Sequence, residues 1–116
     1  MNGEQLVREI EWFLQTNHID SFQKLRVLFF FYQHPASSWN GQQIAKQLYL
    51  GDGPLLERII TELQAVGLVN CVADRCKSND KAGIKASVNH LTQTWQNPLA
   101  RQKILDQVRR SILFNH

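Results

Sequence analysis

From Phe22 to Tyr32 the chain reads Phe-Gln-Lys-Leu-Arg-Val-Leu-Phe-Phe-Phe-Tyr, and this stretch contains its longest unbroken apolar run, Val27 to Tyr32. Phe22, Leu25, Leu28, Phe29 and Tyr32 share one face of a helix, while Val27, Phe30 and Phe31 make that helix apolar almost all round. Such a helix belongs at the centre of a fold, with other elements packed around it. Asp20, three residues before Gln23, reads as a capping box that opens it. Pro35 ends it near His34, because the residue before a proline is pushed away from helical geometry. The apolar run is far short of the ~20 residues that span a bilayer. Met1-Asn2-Gly3-Glu4-Gln5 has no basic stretch leading into an apolar one, so no secretory signal is expected, and a soluble, cytoplasmic protein is. With 116 residues, 43% hydrophobic and 20% charged, the chain suits one globular domain over residues 1–116.

Other elements follow from local signals. Leu6, Ile10 and Phe13, flanked by Val7 and Leu14, predict an amphipathic helix from about Glu4 to Gln15. Asn40 and Gln43 form a capping signature, with Trp39 placed to staple onto Ile44, so a short helix is expected from about Gly41 to Leu48. Leu50-Gly51-Asp52-Gly53 reads as a tight turn. Pro54 suits the first position of a further helix running to about Val66, with Gly67 as its left-handed cap. Beyond Gly67, Leu68–Asp74 is rich in Val and Leu, Arg75–Gly83 is polar and turn-forming, and Ile84, Ala86 and Val88 alternate with polar residues. That pattern predicts a hairpin whose loop is Arg75–Gly83. Asn97-Pro98 then opens a last helix, to about Leu113, with Leu105, Val108 and Ile112 on one face.

The segments Ile44-Ala45-Lys46-Gln47-Leu48-Tyr49-Leu50, Gly51-Asp52-Gly53 and Leu56-Glu57-Arg58-Ile59-Ile60-Thr61-Glu62-Leu63-Gln64-Ala65-Val66-Gly67-Leu68-Val69 carry a short helix, a turn, a Leu-rich helix and a Gly-Leu-Val exit. With the preceding helix and the following hairpin, this pattern resembles the winged helix-turn-helix superfamily of many small bacterial transcription regulators. The resemblance covers roughly residues 20–90, leaving 1–19 and 91–116 as additional N- and C-terminal helices. It implies a mainly α fold with a small β-hairpin, and a duplex DNA partner met by the helix Pro54–Val66 and the wing. Winged helices also serve as protein-interaction modules, which is the alternative. The glycine- and aspartate-rich turn departs from the Ser/Thr-rich start usual for that family's recognition helix.

Helical geometry places Leu55, Leu56, Ile59, Ile60, Leu63 and Val66 inward, and Pro54, Glu57, Arg58, Thr61, Gln64 and Ala65 outward. Arg58, Thr61 and Gln64 can meet bases or phosphates. Glu57 could accept a hydrogen bond from cytosine N4 but repels phosphate. The formal charge is +3 overall, yet residues 75–116 hold eight basic and two acidic side chains. Arg75, Lys77, Lys81 and Lys85 in or beside the expected wing loop, with Lys46 and Arg58, are the candidate phosphate contacts. Leu105, Val108 and Ile112 are a candidate homodimer stripe, or else pack against the Leu6, Ile10 and Phe13 stripe of the same chain.

No reactive constellation is legible. Gly51-Asp52-Gly53 lacks the following Gly-Lys-Ser/Thr of a nucleotide-phosphate loop. His18, His34, His90 and His116 are isolated, so neither a metal nor a cofactor is expected, nor an enzyme. Cys71 and Cys76, taken as lying in one strand, would stand roughly 16 Å apart, beyond the ~7 Å reach of a disulfide, and are expected as thiols. Arg75 and Lys77 would favour the thiolate of Cys76, making it a redox-responsive candidate. Trp95 is expected between the hairpin and the last helix.

Overall fold

The computed structural model describes residues 3–114, with side chains over 8–109. These residues form six helices and one two-stranded antiparallel sheet: α1 (Gly3–Thr16), α2 (Phe22–Gln33), α3 (Gly41–Leu48), α4 (Gly53–Ala65), β1 (Val69–Val72), β2 (Arg75–Ser78), α5 (Ala82–Trp95) and α6 (Pro98–Phe114). Among them no helix is long and apolar enough to cross a membrane.

Helix α2 is the central element. Leu25, Val27, Leu28 and Phe31 are wholly buried, and Phe29 and Phe30 nearly so. Its N-cap is Ser21 rather than Asp20. The Lys24 amide donates to Ser21 Oγ at 3.1 Å, a one-residue correction between two neighbouring cap-forming side chains. With α2, one core is shared by Ile10, Phe13 and Leu14 of α1, Ile44 of α3, Leu56, Ile59 and Leu63 of α4, Val88 and Leu91 of α5, and Ile104 and Val108 of α6. Helices α3, α4 and α5 pack directly on α2, and α6 packs on α1 and α5.

That core contains a charged residue. Lys24 is 1% exposed, and its Nζ donates to the His18 carbonyl at 2.6 Å and lies 3.7 Å from a Glu62 carboxylate oxygen. His18 occupies the left-handed region (φ 55°) just beyond α1, so its carbonyl turns inward toward Lys24 instead of continuing the helix.

The capping box at Asn40 and Gln43 forms as expected, with both reciprocal hydrogen bonds. Asp52 supplies a cap at the turn before α4, accepting from the Leu55 amide at 3.0 Å. Gly67 closes α4 at φ 82°. Asn97 caps α6 by accepting from Leu99 and Ala100.

The hairpin differs most from expectation. Its strands pair Val69↔Ser78, Asn70↔Lys77, Cys71↔Cys76 and Val72↔Arg75, joined only by Ala73 and Asp74. Residues 82–89, expected as a loop end and a strand, belong instead to α5, which runs on to Trp95. Ile84, Val88, Leu91 and Trp95 follow helical spacing, and that face packs on α2. Trp95 accordingly lies against Phe29 (5.6 Å between ring centroids) and Phe22 (6.2 Å), with Arg101 over its face, not between hairpin and last helix. Trp39 exchanges two backbone hydrogen bonds with Cys76, both 2.8 Å, so it borders β2 on the side away from β1. Its ring packs on Phe30 and His34. The hairpin root is fixed by Tyr32 Oη donating to the Leu68 carbonyl at 2.6 Å and Asn79 Nδ2 donating to the Gly67 carbonyl at 2.7 Å. Burial holds the Tyr32 phenol above its ordinary pKa; the Asn79 backbone hydrogen bond opposes this and the Asp80 carboxylate adds to it.

Cys71 and Cys76 are joined in a disulfide. The expected separation presumed both on one strand. They lie instead on opposite strands of a tight hairpin, directly paired, with Cα atoms 4.0 Å apart. The ring so closed is short, so reduction is expected to lower the free energy of unfolding by only about 2 kcal/mol. Urea denaturation with and without a reductant reads this directly, and an unchanged midpoint would show that the bond constrains nothing.

Candidate nucleic-acid interface

Helix α4 divides its faces as its periodicity predicts. Leu56, Ile59 and Leu63 are buried and Leu55, Ile60 and Val66 half-buried, whereas Glu57, Arg58, Thr61 and Gln64 are exposed. Thr61 Oγ1 donates to the Glu57 carbonyl at 2.8 Å, which holds its methyl and hydroxyl in one orientation. Lys46 is exposed on the last turn of α3, beside the helix end that favours a cation. The Arg26 guanidinium donates to the Leu48 carbonyl at 2.8 Å and ties the end of α3 to α2.

The four cations expected on one wing loop are spread over two elements. Arg75 and Lys77 stand on β2, Lys81 is the residue before α5, and Lys85 lies in its first turns. Arg75 donates through Nε and Nη2 to the hydroxyl and carbonyl of Ser38, so its guanidinium is folded onto the α2–α3 connection. Lys77 is 3.6 Å from Asp80, a half-exposed pair of the kind that adds little stability. The tip carries Val72, 81% exposed, with Ala73 in the left-handed region and Asp74. It is therefore apolar and acidic, where a basic loop was expected.

An open groove runs where the start of α3, the start of α4 and the hairpin turn meet. Asn40, Gln42, Gly53, Glu57 and Asp74 are on its walls, and its charged lining is acidic. Gln42 and Asp74 were not among the candidate residues. The two-residue turn that swings Asp74 into the groove has no glycine or asparagine to announce it.

The dimer stripe is also altered. Val108 is 2% exposed within its own chain's core, and Leu105 is half-buried. Both belong to α6, which packs along α1. Ile112 and Leu6 lie outside the described side chains. Among the described residues no group of three or more His, Cys, Asp or Glu is placed to hold a metal ion. Compared with family models, curated proteins and solved structures, the chain matches none of them.

Proposed function

We propose that the chain is a winged helix-turn-helix module that binds duplex DNA, with α4 in a groove of the duplex and the hairpin β1–β2 as the wing. The observation that carries this reading is the outward row Arg58, Thr61 and Gln64 on a helix whose other face is buried. Those side chain types can meet base edges or phosphates, and a helix fastened by its apolar face presents them without further ordering. Two further features support it. Trp39 bordering β2 makes the hairpin continuous with the segment before α3, as a wing requires. Lys46 adds an exposed cation on α3, the helix packed against α4.

Fluorescence anisotropy of a labelled duplex at several salt concentrations tests the proposal. Binding should weaken steeply with salt. Arg58→Ala and Lys46→Ala should each lower affinity about tenfold and reduce the salt slope by roughly one phosphate's share. Absence of binding at low salt would overturn it.

A second reading is favoured by the acidic lining at Glu57 and Asp74, which suits a basic segment of a partner protein better than phosphate. Glu57→Lys separates the two. Tighter DNA binding by this variant supports the first reading, and weaker capture of a basic peptide with no DNA binding supports the second.

A further inference from the structure

The Cys71–Cys76 bond is asymmetric in its surroundings. Cys76 is 6% exposed; its backbone exchanges two hydrogen bonds with Trp39 on one side, and on the other it stands directly opposite Cys71 across β1–β2. Cys71 is half-buried and belongs to β1, the edge of the sheet. Thiolate attack on a disulfide is collinear with the bond it breaks. The order Cys71, Cys76, Trp39 across the sheet leaves the open strand edge beyond Cys71 and puts Trp39 beyond Cys76, so approach to Cys71 is the less obstructed. Arg75 and Lys77, expected to activate Cys76, point to the opposite face of β2, since successive residues of a strand alternate. They are also engaged with Ser38 and Asp80.

We propose that Cys71–Cys76 is a thiol–disulfide exchange site entered at Cys71 by a small aliphatic thiol. The incoming thiolate bonds to Cys71 Sγ. The Cys71–Cys76 bond breaks with its electron pair going to Cys76 Sγ, which takes up a proton. A second thiolate attacks the reagent's sulfur in the mixed disulfide and releases Cys71 as a thiolate, which is protonated in turn. Two thiols are thereby oxidised to one disulfide, and the protein disulfide is reduced to two thiols. The bond lies one residue pair from the turn carrying Asp74, so exchange releases the clasp that fixes this turn at the groove. The proposal does not depend on what the groove binds.

The test uses the full oxidised chain in native buffer with excess glutathione, quenched by acid, alkylated and mapped by peptide mass spectrometry. Glutathione should be carried on Cys71 at least about tenfold more than on Cys76, because access decides which sulfur is attacked. Adducts on Cys76, equal labelling, or exchange seen only in denaturant would overturn the proposal. The single variants give an independent reading with an aromatic disulfide reagent. The Cys71 thiol left in Cys76→Ser should react at least about tenfold faster than the Cys76 thiol left in Cys71→Ser. Equal or reversed rates count against the assignment.

Discussion

Phe31→Ala is expected to lower the free energy of unfolding by about 3–5 kcal/mol, the cost of a large cavity in a core that cannot collapse around it. Phe31 has no exposed surface and lies in the helix on which α3, α4, α5 and β2 all converge, with Phe30 6.0 Å away in an edge-to-face contact. A domain of this size holds only about 5–15 kcal/mol in total, so the variant loses a large share of its stability. Urea denaturation followed by circular dichroism measures the change. Phe22→Ala, at a position 45% exposed, serves as the comparison and should cost far less. Similar losses at both positions would deny α2 its central place.

The buried lysine should show the next largest effect. Lys24→Ala removes the packed methylene stem and the charge-assisted hydrogen bond to the His18 carbonyl, a combined loss of about 3–4 kcal/mol. Lys24→Met restores most of the stem but leaves that carbonyl without its donor, so roughly 1–3 kcal/mol of the loss should persist. Glu62 is 45% exposed and remains hydrated in either variant, so its half of the ion pair contributes little to the difference. The measurement is again unfolding in urea, now with three proteins side by side. If Lys24→Met proved as stable as the parent, the His18 hydrogen bond would be dispensable and the lysine would act through volume alone.

Lys24 also shows where the amino-acid order is informative and where it is silent. A helix apolar almost all round has little exposed surface to offer its polar residues; in α2, Gln23 and Gln33 keep it and Lys24 is buried. Its partner is the carbonyl of a left-handed histidine outside that helix, and no residue type marks this. Helix caps are legible at Asn40 and Asn97, whose side chains satisfy backbone groups a few residues away, and at Gly67, whose backbone takes up the left-handed conformation without strain. The Ser21 cap was missed by one position because Asp20 is an equally good cap former.

Two physical features hide helix α5 in the sequence. Lys81 precedes it without a side-chain cap, and Ile84, Ala86 and Val88 happen to alternate. The spacing that decides the matter, Ile84 to Val88 to Leu91 to Trp95, extends beyond the stretch Ile84–Asn89 over which apolar and polar residues alternate. Once 82–95 is helical, the hairpin must close early, through Ala73 and Asp74, and that places the two cysteines opposite each other. The outward row of α4 needed only helical geometry and was legible. The acidic groove depends on where a two-residue turn points, which is a tertiary matter.

The pairing of α1 with α6 has a consequence for the chain's birth. Ile10 and Leu14 share their surroundings with Ala100 and Ile104, from the far end of the described chain. At ribosomal rates of about 5–20 residues per second, α6 emerges several seconds or more after α1 has been made. Throughout that interval the part of the α1 stripe that α6 covers lies open, while α2, α3 and α4 already have one another. A nascent chain stalled before residue 98 would therefore present α1 to chaperones and proteases, and release past α6 would withdraw it.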